Sequence, residues 1–218
     1  MNPPVAAPGD GPVPSRNGRL AVVARRARSA VRLARRFVHH RDDLVECGAP
    51  VAEHRRPAHG LDLPIEAVPP GSFASLVPCS PHLSGTDVER FVSVGAVALV
   101  VRDGDHVAAM NFFVPGPGHA WVDELDASVP VAEGEHFSCR TFVDPAYRGR
   151  AMFEHLVWVY ASGLGPEERI WGLVMARNAA SLRSLGRNGW VATARWTATT
   201  RLGRVAAKRR AHEPAPLR

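Results

Sequence analysis

The sequence predicts an α/β domain with a mixed, mostly antiparallel central sheet and flanking helices. Three observations lead to this class. Hydrophobic residues make up 45% of the 218 residues and charged residues 22%, as in a globular chain with an apolar core. Residues 96–114 have the pattern of an antiparallel hairpin, and residues 135–200 alternate between strand and helix patterns. An antiparallel run followed by strand–helix–strand–helix–strand predicts a mixed sheet.

The region before the hairpin has weaker patterns. Residues 44–47 have an ambiguous strand pattern, and residues 61–68 alternate as a strand that ends at Pro69-Pro70-Gly71. Thr86 is a plausible N-cap for a short helix that continues through Val94. This part of the chain carries no chemical motif.

The hairpin itself has a clear turn signal. Residues 96–102 are an apolar, β-branched run, Asp103-Gly104-Asp105 forms a tight turn, and residues 106–114 continue as the second strand. A Pro-Gly-Pro-Gly sequence then opens a long connection, in which residues 121–125 predict a further strand.

The second half of the chain alternates regularly. Its sequence predicts strands and helices in the order strand 135–143, helix 150–162, strand 169–174, helix 178–188 and strand 190–200. The first of these strands ends at Asp144-Pro145, since proline cannot donate to a strand ladder. Residues 42–203 are therefore expected to form one domain.

The charge is concentrated at the two ends of the chain. Residues 1–46 hold nine arginines against four acids, residues 195–218 hold seven basic residues against one acid, and the middle has an acidic excess. A nucleic-acid-binding domain needs clustered basic charge on its folded face, so this class is not expected. No apolar run reaches the roughly 18 residues needed to span a membrane. The ten histidines lack paired ligand spacing, so no metal site is expected.

The ends are expected to differ from the domain. Residues 1–15 predict a disordered leader without a secretory signal, and residues 204–218 predict a basic disordered tail. Residues 16–41 predict a basic amphipathic helix with five arginines on one arc and mainly Ala and Val on the other. That helix, over residues 16–40, either docks on an anionic membrane or an acidic partner, or packs on the domain, which we favour. Three widely separated cysteines favour a reducing, cytoplasmic compartment.

The segment from Phe142 to Phe153 has the most specific chemistry. A predicted strand runs into a turn rich in arginine and glycine, and the turn opens directly into a helix. Free backbone N–H groups and the positive end of a helix dipole attract anions. Arg148 and Arg150 can neutralise phosphate, and Gly149 lets the backbone approach it closely. The turn is therefore a candidate phosphate site.

Two motifs in this half together resemble the GCN5-related N-acetyltransferase superfamily. The first motif, on a strand-to-helix turn, is matched by Val143, Pro145, Tyr147, Arg148, Gly149 and Arg150. The second, a helix that begins with N-x-x-S/A and ends in glycine and an aromatic residue, is matched by Asn178, Ser181, Gly189 and Trp190. The resemblance extends over about residues 96–200.

The resemblance implies an acyl-CoA N-acyltransferase fold and acetyl-CoA or another acyl-CoA as co-substrate. The co-substrate would lie where strands 137–143 and 170–174 splay apart, with the Val143 N–H polarising the thioester carbonyl. The residues that the resemblance assigns to acyl-CoA binding are Phe142, Val143, Arg148, Gly149, Arg150, Ala151, Met152, Phe153, Asn178 and Ser181.

The sequence departs from the family pattern at three positions. Ala151 stands where the first motif usually has glycine, which is a mild change if the site needs a helical φ. Phe153 stands where glycine or alanine is usual. Leu185 stands where many members have a general-acid tyrosine, so a tyrosine acid at that position is excluded.

The expected reaction is direct acyl transfer to a primary amine of a small molecule. A base must take the amine's proton, and the candidates are Glu135 and His136 at the start of a strand and Asp123 and Glu124 in the long connection. The alternative is a non-catalytic acyl-CoA-binding or scaffold domain of the same fold. Cys139 is interpreted as a core residue, because no His–Asp pattern accompanies it.

Overall fold

The computed structural model describes residues 40–54, 56–58, 60–201 and 204–217. The chain divides into two compact units, one of residues 1–40 with 200–204 and the other of residues 41–199 with 205–218. The first unit is described only at four residues, which begin or end strands. All other described residues belong to the second unit. The expected leader 1–15 and residues 16–39 of the expected amphipathic helix lie outside the described residues.

Ten strands and three α-helices make up the described fold. The strands are β1 (His40–Pro50), β2 (Ile65–Val68), β3 (Val97–Asp103), β4 (His106–Pro115), β5 (Gly118–Val122), β6 (Ala127–Val131), β7 (Glu135–Val143), β8 (Arg169–Met175), β9 (Val191–Arg201) and β10 (Arg204–Pro216). The helices are α1 (Gly85–Ser93), α2 (Met152–Ala161) and α3 (Ala179–Arg187), with short 3-10 segments at Val51–Glu53, Pro70–Cys79 and Pro145–Tyr147.

Eight of the strands form one sheet in the order β10-β9-β1-β8-β7-β4-β3-β2, and β5 pairs with β6 in a separate hairpin. The pairs β1–β8, β2–β3, β3–β4 and β4–β7 are antiparallel, whereas β7 and β8 run parallel. The predicted class, a mixed and mostly antiparallel sheet with flanking helices, is confirmed.

Strand β4 divides the core into two apolar layers, because neighbouring residues of a strand point to opposite faces. Phe112 packs on one face with Phe73, Phe91 and the strand β8 residue Trp171. Phe113 packs on the other face with residues of α2 and with Ile170. Both phenylalanines are fully buried. The sheet therefore separates the side that carries α2 from the side that carries α1.

The ambiguous strand pattern near the start of the domain becomes a long central strand. Strand β1 lies between β8 and β9 and pairs with β8 from Leu44↔Met175 to Pro50↔Arg169. Residues 44–49 are all buried, which is expected of a strand covered on both faces. Residues 40 and 41, which the sequence assigned to the end of the helix, already belong to this strand.

Three other expectations differ from the structure. Residues 204–216 form strand β10 instead of a disordered tail, because the sheet pairs their backbone and Arg209 bonds to Glu46 of β1. Residues 121–125 span the end of β5 and the following turn instead of one strand. Helix α1 is capped by Ser84, which accepts from the Asp87 N–H in a capping box, and not by Thr86.

No helix in the described part of the chain is long and apolar enough to cross a membrane.

Candidate active site

Strands β7 and β8 separate soon after they begin, and the separation opens a cleft. Their parallel pairing covers only Glu135↔Arg169, His136↔Ile170 and Phe137↔Trp171. The rest of β8 stays paired with β1 on its other edge. At the last point of contact, a Cβ on Gly172 would lie 2.8 Å from the Ser138 carbonyl oxygen, so only glycine fits there. The splayed strands inferred from the family resemblance are thus present at the expected place.

A bulge in β7 lines the start of this cleft. Arg140 has a left-handed φ of 52°, and the register between β4 and β7 shifts beside it, between Met110 and Phe112. Asn111 of β4 faces the bulge and is fully buried. Its amide donates to Ser138 Oγ at 3.0 Å and its carbonyl accepts from Thr141 Oγ1 at 2.5 Å. The buried asparagine side chain therefore finds its hydrogen-bond partners in two hydroxyl groups on either side of the bulge.

The backbone N–H of Val143 faces away from β4. The next residue, Asp144, donates its N–H to the Ala108 carbonyl at 2.9 Å, and Val143 itself pairs with Ala109. In an antiparallel ladder, residues that donate to the partner strand alternate with residues whose N–H points to the opposite side. Val143 therefore directs its N–H toward the side from which β8 has separated.

The turn that follows β7 is rigid at its start. Asp144 accepts from the Ala146 N–H at 2.8 Å and so caps the 3-10 segment Pro145–Tyr147. Gly149 then has a φ of 81°, which glycine tolerates without strain. Ala151, the residue before α2, has a φ of 53°. Alanine would be a mild replacement for the motif glycine only at a helical φ. The left-handed φ of Ala151 does not meet this condition.

The start of α2 combines exposed charge with a buried anchor. Arg148, Gly149 and Arg150 are exposed, and the Arg150 guanidinium lies 5.3 Å from the centre of the Tyr147 ring. Met152 is buried at the first position of the helix. Phe153 is half-buried and its ring centre lies 6.1 Å from that of Trp190. The turn thus presents backbone N–H groups and two arginines to solvent on an anchored helix.

The second motif lies on α3. Asn178 is the N-cap of this helix, and its side chain accepts from the Ser181 N–H at 3.2 Å. Leu185 is buried in the apolar layer shared with α2. Asn178 and Ser181 are thus placed by capping, and the residue at the tyrosine position points into the core.

The four candidate bases are not brought together at one site. Glu135 accepts from Arg169 at 3.1 Å and from the Ala132 N–H at 3.3 Å. Its neighbour His136 points to the other face of the sheet, toward α2. Glu124 is exposed in the turn between β5 and β6. Eight residues separate Glu135 from Val143, which is about 26 Å along an extended strand.

His136 has a partner on each ring nitrogen. Nε2 lies 2.9 Å from Glu168 Oε1, and because a carboxylate only accepts, Nε2 is the donor. In the neutral ring Nδ1 then accepts from the Tyr160 hydroxyl at 3.0 Å. The bonds from His136 and from the Gly165 N–H hold the pKa of Glu168 below its ordinary value, and burial raises the pKa of Tyr160 to about 12. The arrangement fastens β7 to α2.

The sequence did not predict the ion pairs that Arg140 forms at the bulge. Arg140 binds Asp87 of α1 at 2.6 Å and Asp123, one of the candidate bases, at 2.9 Å. Asp123 also accepts from Trp121 Nε1 at 3.0 Å. Arg140 therefore ties α1 and the β5–β6 hairpin to the bulge. The signal that could have found this region is Asn111, a polar residue in an otherwise apolar strand.

Burial makes a thiol nucleophile at the bulge unsuitable. Burial raises the pKa of Cys139 to about 12, so the thiolate is not populated at neutral pH. Among the described residues, no group of three His, Cys, Asp or Glu side chains is placed to hold a metal ion.

No family model matches the chain, and no curated protein sequence matches it. Solved structures do match. A conserved protein of unknown function from Staphylococcus epidermidis aligns with a TM-score of 0.52 at 9% identity, over 85% of this chain and 79% of its own. A protein described as an acetyltransferase of the GNAT family, from Novosphingobium aromaticivorans, aligns with a TM-score of 0.48 at 21% identity, over 73% and 64%.

A GCN5-related N-acetyltransferase from Sphaerobacter thermophilus aligns with a TM-score of 0.44 at 16% identity, over 86% of this chain and 57% of its own. The chain thus spans less than two thirds of the length of the Novosphingobium and Sphaerobacter proteins. At these identities the likeness concerns the fold alone. The chain therefore shares its fold with the Staphylococcus epidermidis protein, a mixed sheet with flanking helices, and the comparison shows no more than the fold.

Proposed function

We propose that the protein transfers an acetyl or other acyl group from acyl-CoA to a primary amine of a small molecule. The observation that carries the proposal is the cleft between β7 and β8, which has the Val143 N–H directed toward it and an exposed arginine turn at its end. A long, thin substrate with a phosphate at one end and a thioester at the other suits this arrangement.

The turn would hold the phosphate end of acyl-CoA. The backbone N–H groups of residues 149–153 and the positive end of the α2 dipole attract the pyrophosphate. Arg148 and Arg150 are exposed and free to add charge-assisted hydrogen bonds. The pantetheine arm would follow β7 past Val143 and Phe142, and Asn178 and Ser181 would lie beside it on α3.

The thioester would react inside the cleft. The amine nitrogen attacks the thioester carbonyl carbon, and the Val143 N–H stabilises the negative charge that develops on the oxygen. The C–S bond then breaks, CoA leaves as the thiolate, and the extra proton on the nitrogen passes to that thiolate, directly or through water. One backbone donor of this kind is worth a substantial part of the rate enhancement in acyl transfer.

The proton that makes the acceptor an ammonium ion is expected to leave before the attack, in solution. The side chains of Glu135, His136 and Asp123 are engaged in hydrogen bonds that hold the fold together, and Glu124 is exposed in the β5–β6 turn. We therefore propose that the amine binds as the free base, without a side chain that removes its proton. The rate should then rise with pH up to the pKa of the amine, and amines of lower pKa should reach their plateau at lower pH.

Calorimetry with acetyl-CoA tests the binding part of the proposal. Replacing Arg148 and Arg150 together by alanine should weaken binding about tenfold or more, since each charged hydrogen bond contributes about 1.5–3 kcal/mol. Replacing Lys208 and Arg210, two exposed cations of β10, by alanine removes the same charge elsewhere and should leave the affinity unchanged. Equal affinity of both double variants would contradict the assignment of the turn.

Release of free thiol from acetyl-CoA, measured over a panel of primary amines, tests the transfer. Turnover with at least one amine, and a pH profile that follows the pKa of that amine, are the expected results. A profile with a fixed apparent pKa for all amines would instead require a base on the protein.

A second candidate function is acyl-CoA binding without turnover. The observation that favours it is the buried Leu185 at the position where a general-acid tyrosine is common in the family that the sequence resembles. Binding of acetyl-CoA with no thiol release for any amine would support this alternative.

A further inference from the structure

A pocket of about 270 Å³ lies on the sheet face opposite α2, beside the closed end of the cleft. It is bordered by residues from five strands and the end of β6, and its charged members are Glu46, Glu135, Arg169 and Arg209. The apolar wall consists of Val129, Pro130, Trp171 and Trp196. None of these residues belongs to the acyl-CoA turn or to the motifs found in the sequence.

Both carboxylates of the pocket already accept hydrogen bonds from the protein. Glu46 is buried, and it accepts from Thr193 at 3.0 Å, from Trp196 Nε1 at 2.9 Å and from two nitrogens of Arg209 at 2.8 Å. Burial alone would raise its pKa, but these hydrogen bonds outweigh it and the pKa is lowered. Glu135 accepts from Arg169 and from the Ala132 N–H.

Donors make up most of the remaining side-chain capacity in the pocket, because Glu135 keeps only about two of its four acceptor positions. Arg169 uses one nitrogen on Glu135 and another on Thr193, and Arg209 uses two nitrogens on Glu46. A guanidinium has five N–H groups, so each arginine keeps three. The Trp171 indole N–H is buried and has no partner among the described residues. An excess of donors beside an apolar wall suits a ligand with an anionic group on an apolar body.

We infer that this pocket binds a small molecule that carries a carboxylate on an apolar or aromatic body. The planar carboxylate matches the paired N–H groups of a guanidinium, and the two indoles provide surface for the ring or chain. The volume restricts the ligand to a small one. The inference depends on the pocket alone and is independent of acyl transfer.

The test uses phenylacetate as the probe, with phenylacetamide and phenethylamine as neutral and cationic analogues, in the absence of any CoA. The five tryptophan indole N–H signals of the ¹⁵N-labelled protein are followed by NMR. Phenylacetate should shift the signals of Trp171 and Trp196 and leave those of Trp121, Trp158 and Trp190 unchanged. The two analogues should bind at least tenfold more weakly. Equal shifts with all three compounds, or no shift with phenylacetate, would overturn the inference.

Two variants and one matched control locate the site. Arg169→Gln should weaken phenylacetate binding at least tenfold, and Ala132→Phe should block the exposed rim while leaving the buried hydrogen bonds in place. Arg102→Gln breaks a comparable cross-strand pair, with Glu66 at 3.0 Å, on the far side of the sheet, and should leave binding unchanged. Unchanged binding in Ala132→Phe, with the native fold retained, would place the ligand elsewhere and overturn the inference.

Discussion

The hydroxyl of Tyr147 donates a hydrogen bond of 2.6 Å to Asp103, which joins the proposed phosphate turn to the hairpin between β3 and β4. The same two turns meet at a second point, where His106 stacks on the Tyr147 ring and lies 3.2 Å from Asp144. The hydrogen bond to Asp103 raises the pKa of Tyr147, so the hydroxyl stays protonated and continues to donate at neutral pH. A turn of exposed residues is thus held in place by side chains from another hairpin.

Replacing Tyr147 by phenylalanine should weaken acyl-CoA binding. The variant keeps the ring stacking on His106 but loses the bond to Asp103, so the turn becomes less ordered before the ligand binds. Because the pair is exposed, the expected loss of affinity is small, about two- to fivefold by calorimetry. Tyr160→Phe, the same substitution at the other tyrosine of the chain, removes the bond to His136 and should lower stability without changing the affinity. Unchanged affinity in Tyr147→Phe would show that the tether does not order the turn.

Replacing Ala151 by glycine should stabilise the protein. Ala151 holds a φ of 53°, and an L-residue in this left-handed region costs about 1 kcal/mol relative to its right-handed conformation. We expect the free energy of unfolding to rise by about 0.5–1 kcal/mol in denaturant titrations, since glycine avoids the strain but loses more chain entropy on folding. Ala161→Gly, at the buried end of the same helix, should have the opposite sign. Destabilisation in both variants would mean that Ala151 is not strained.

The strand that leads to the proposed site could be predicted from the sequence, because its signals are local. Residues 135–143 alternate and end at Asp144-Pro145, and the observed strand has the same bounds. The bulge at Arg140 could not be located from such local signals, since the side-chain partners of Arg140 are distant in sequence. Asp87 is 53 residues away from Arg140 along the chain. Local patterns do not specify contacts of this kind.

Strand β10 could not be predicted for a related reason. Almost all of its side chains are exposed, so it has no apolar alternation that would distinguish it from a solvated tail. It is held by backbone pairing and by Arg209, whose partner Glu46 is 163 residues away. The pocket that these residues border is therefore a product of the topology.

Replacing Leu185 by alanine should change stability and leave the proton chemistry of turnover unaffected. Leu185 is 5% exposed and packs in the layer shared with α2, so the cavity should lower the free energy of unfolding by about 2–4 kcal/mol. Leu185→Tyr should also destabilise, because it would place a larger side chain and a hydroxyl in the core. At a temperature where the alanine variant is folded, its pH–rate profile should match that of the parent. Abolished turnover with intact fold and acyl-CoA affinity would contradict this assignment.

The last prediction concerns His54, whose ring makes an edge contact with Trp190 at 5.8 Å between centres. Burial lowers the pKa of His54 to about 4, although a hydrogen bond to the Ala49 backbone opposes the shift. The unfolded chain takes up the proton near pH 6.5, whereas the folded protein does so only near pH 4. The contribution to stability is therefore complete above pH 6.5 and is lost as the pH falls toward 4, by roughly 2 kcal/mol once partial exposure is allowed for.

His54→Phe keeps an aromatic ring against Trp190 and removes the titration. The difference between the unfolding free energies of the two proteins, measured from pH 4 to 7, should follow this dependence, because other titrating groups cancel. A difference that does not vary with pH would show that His54 titrates alike in the folded and unfolded chains.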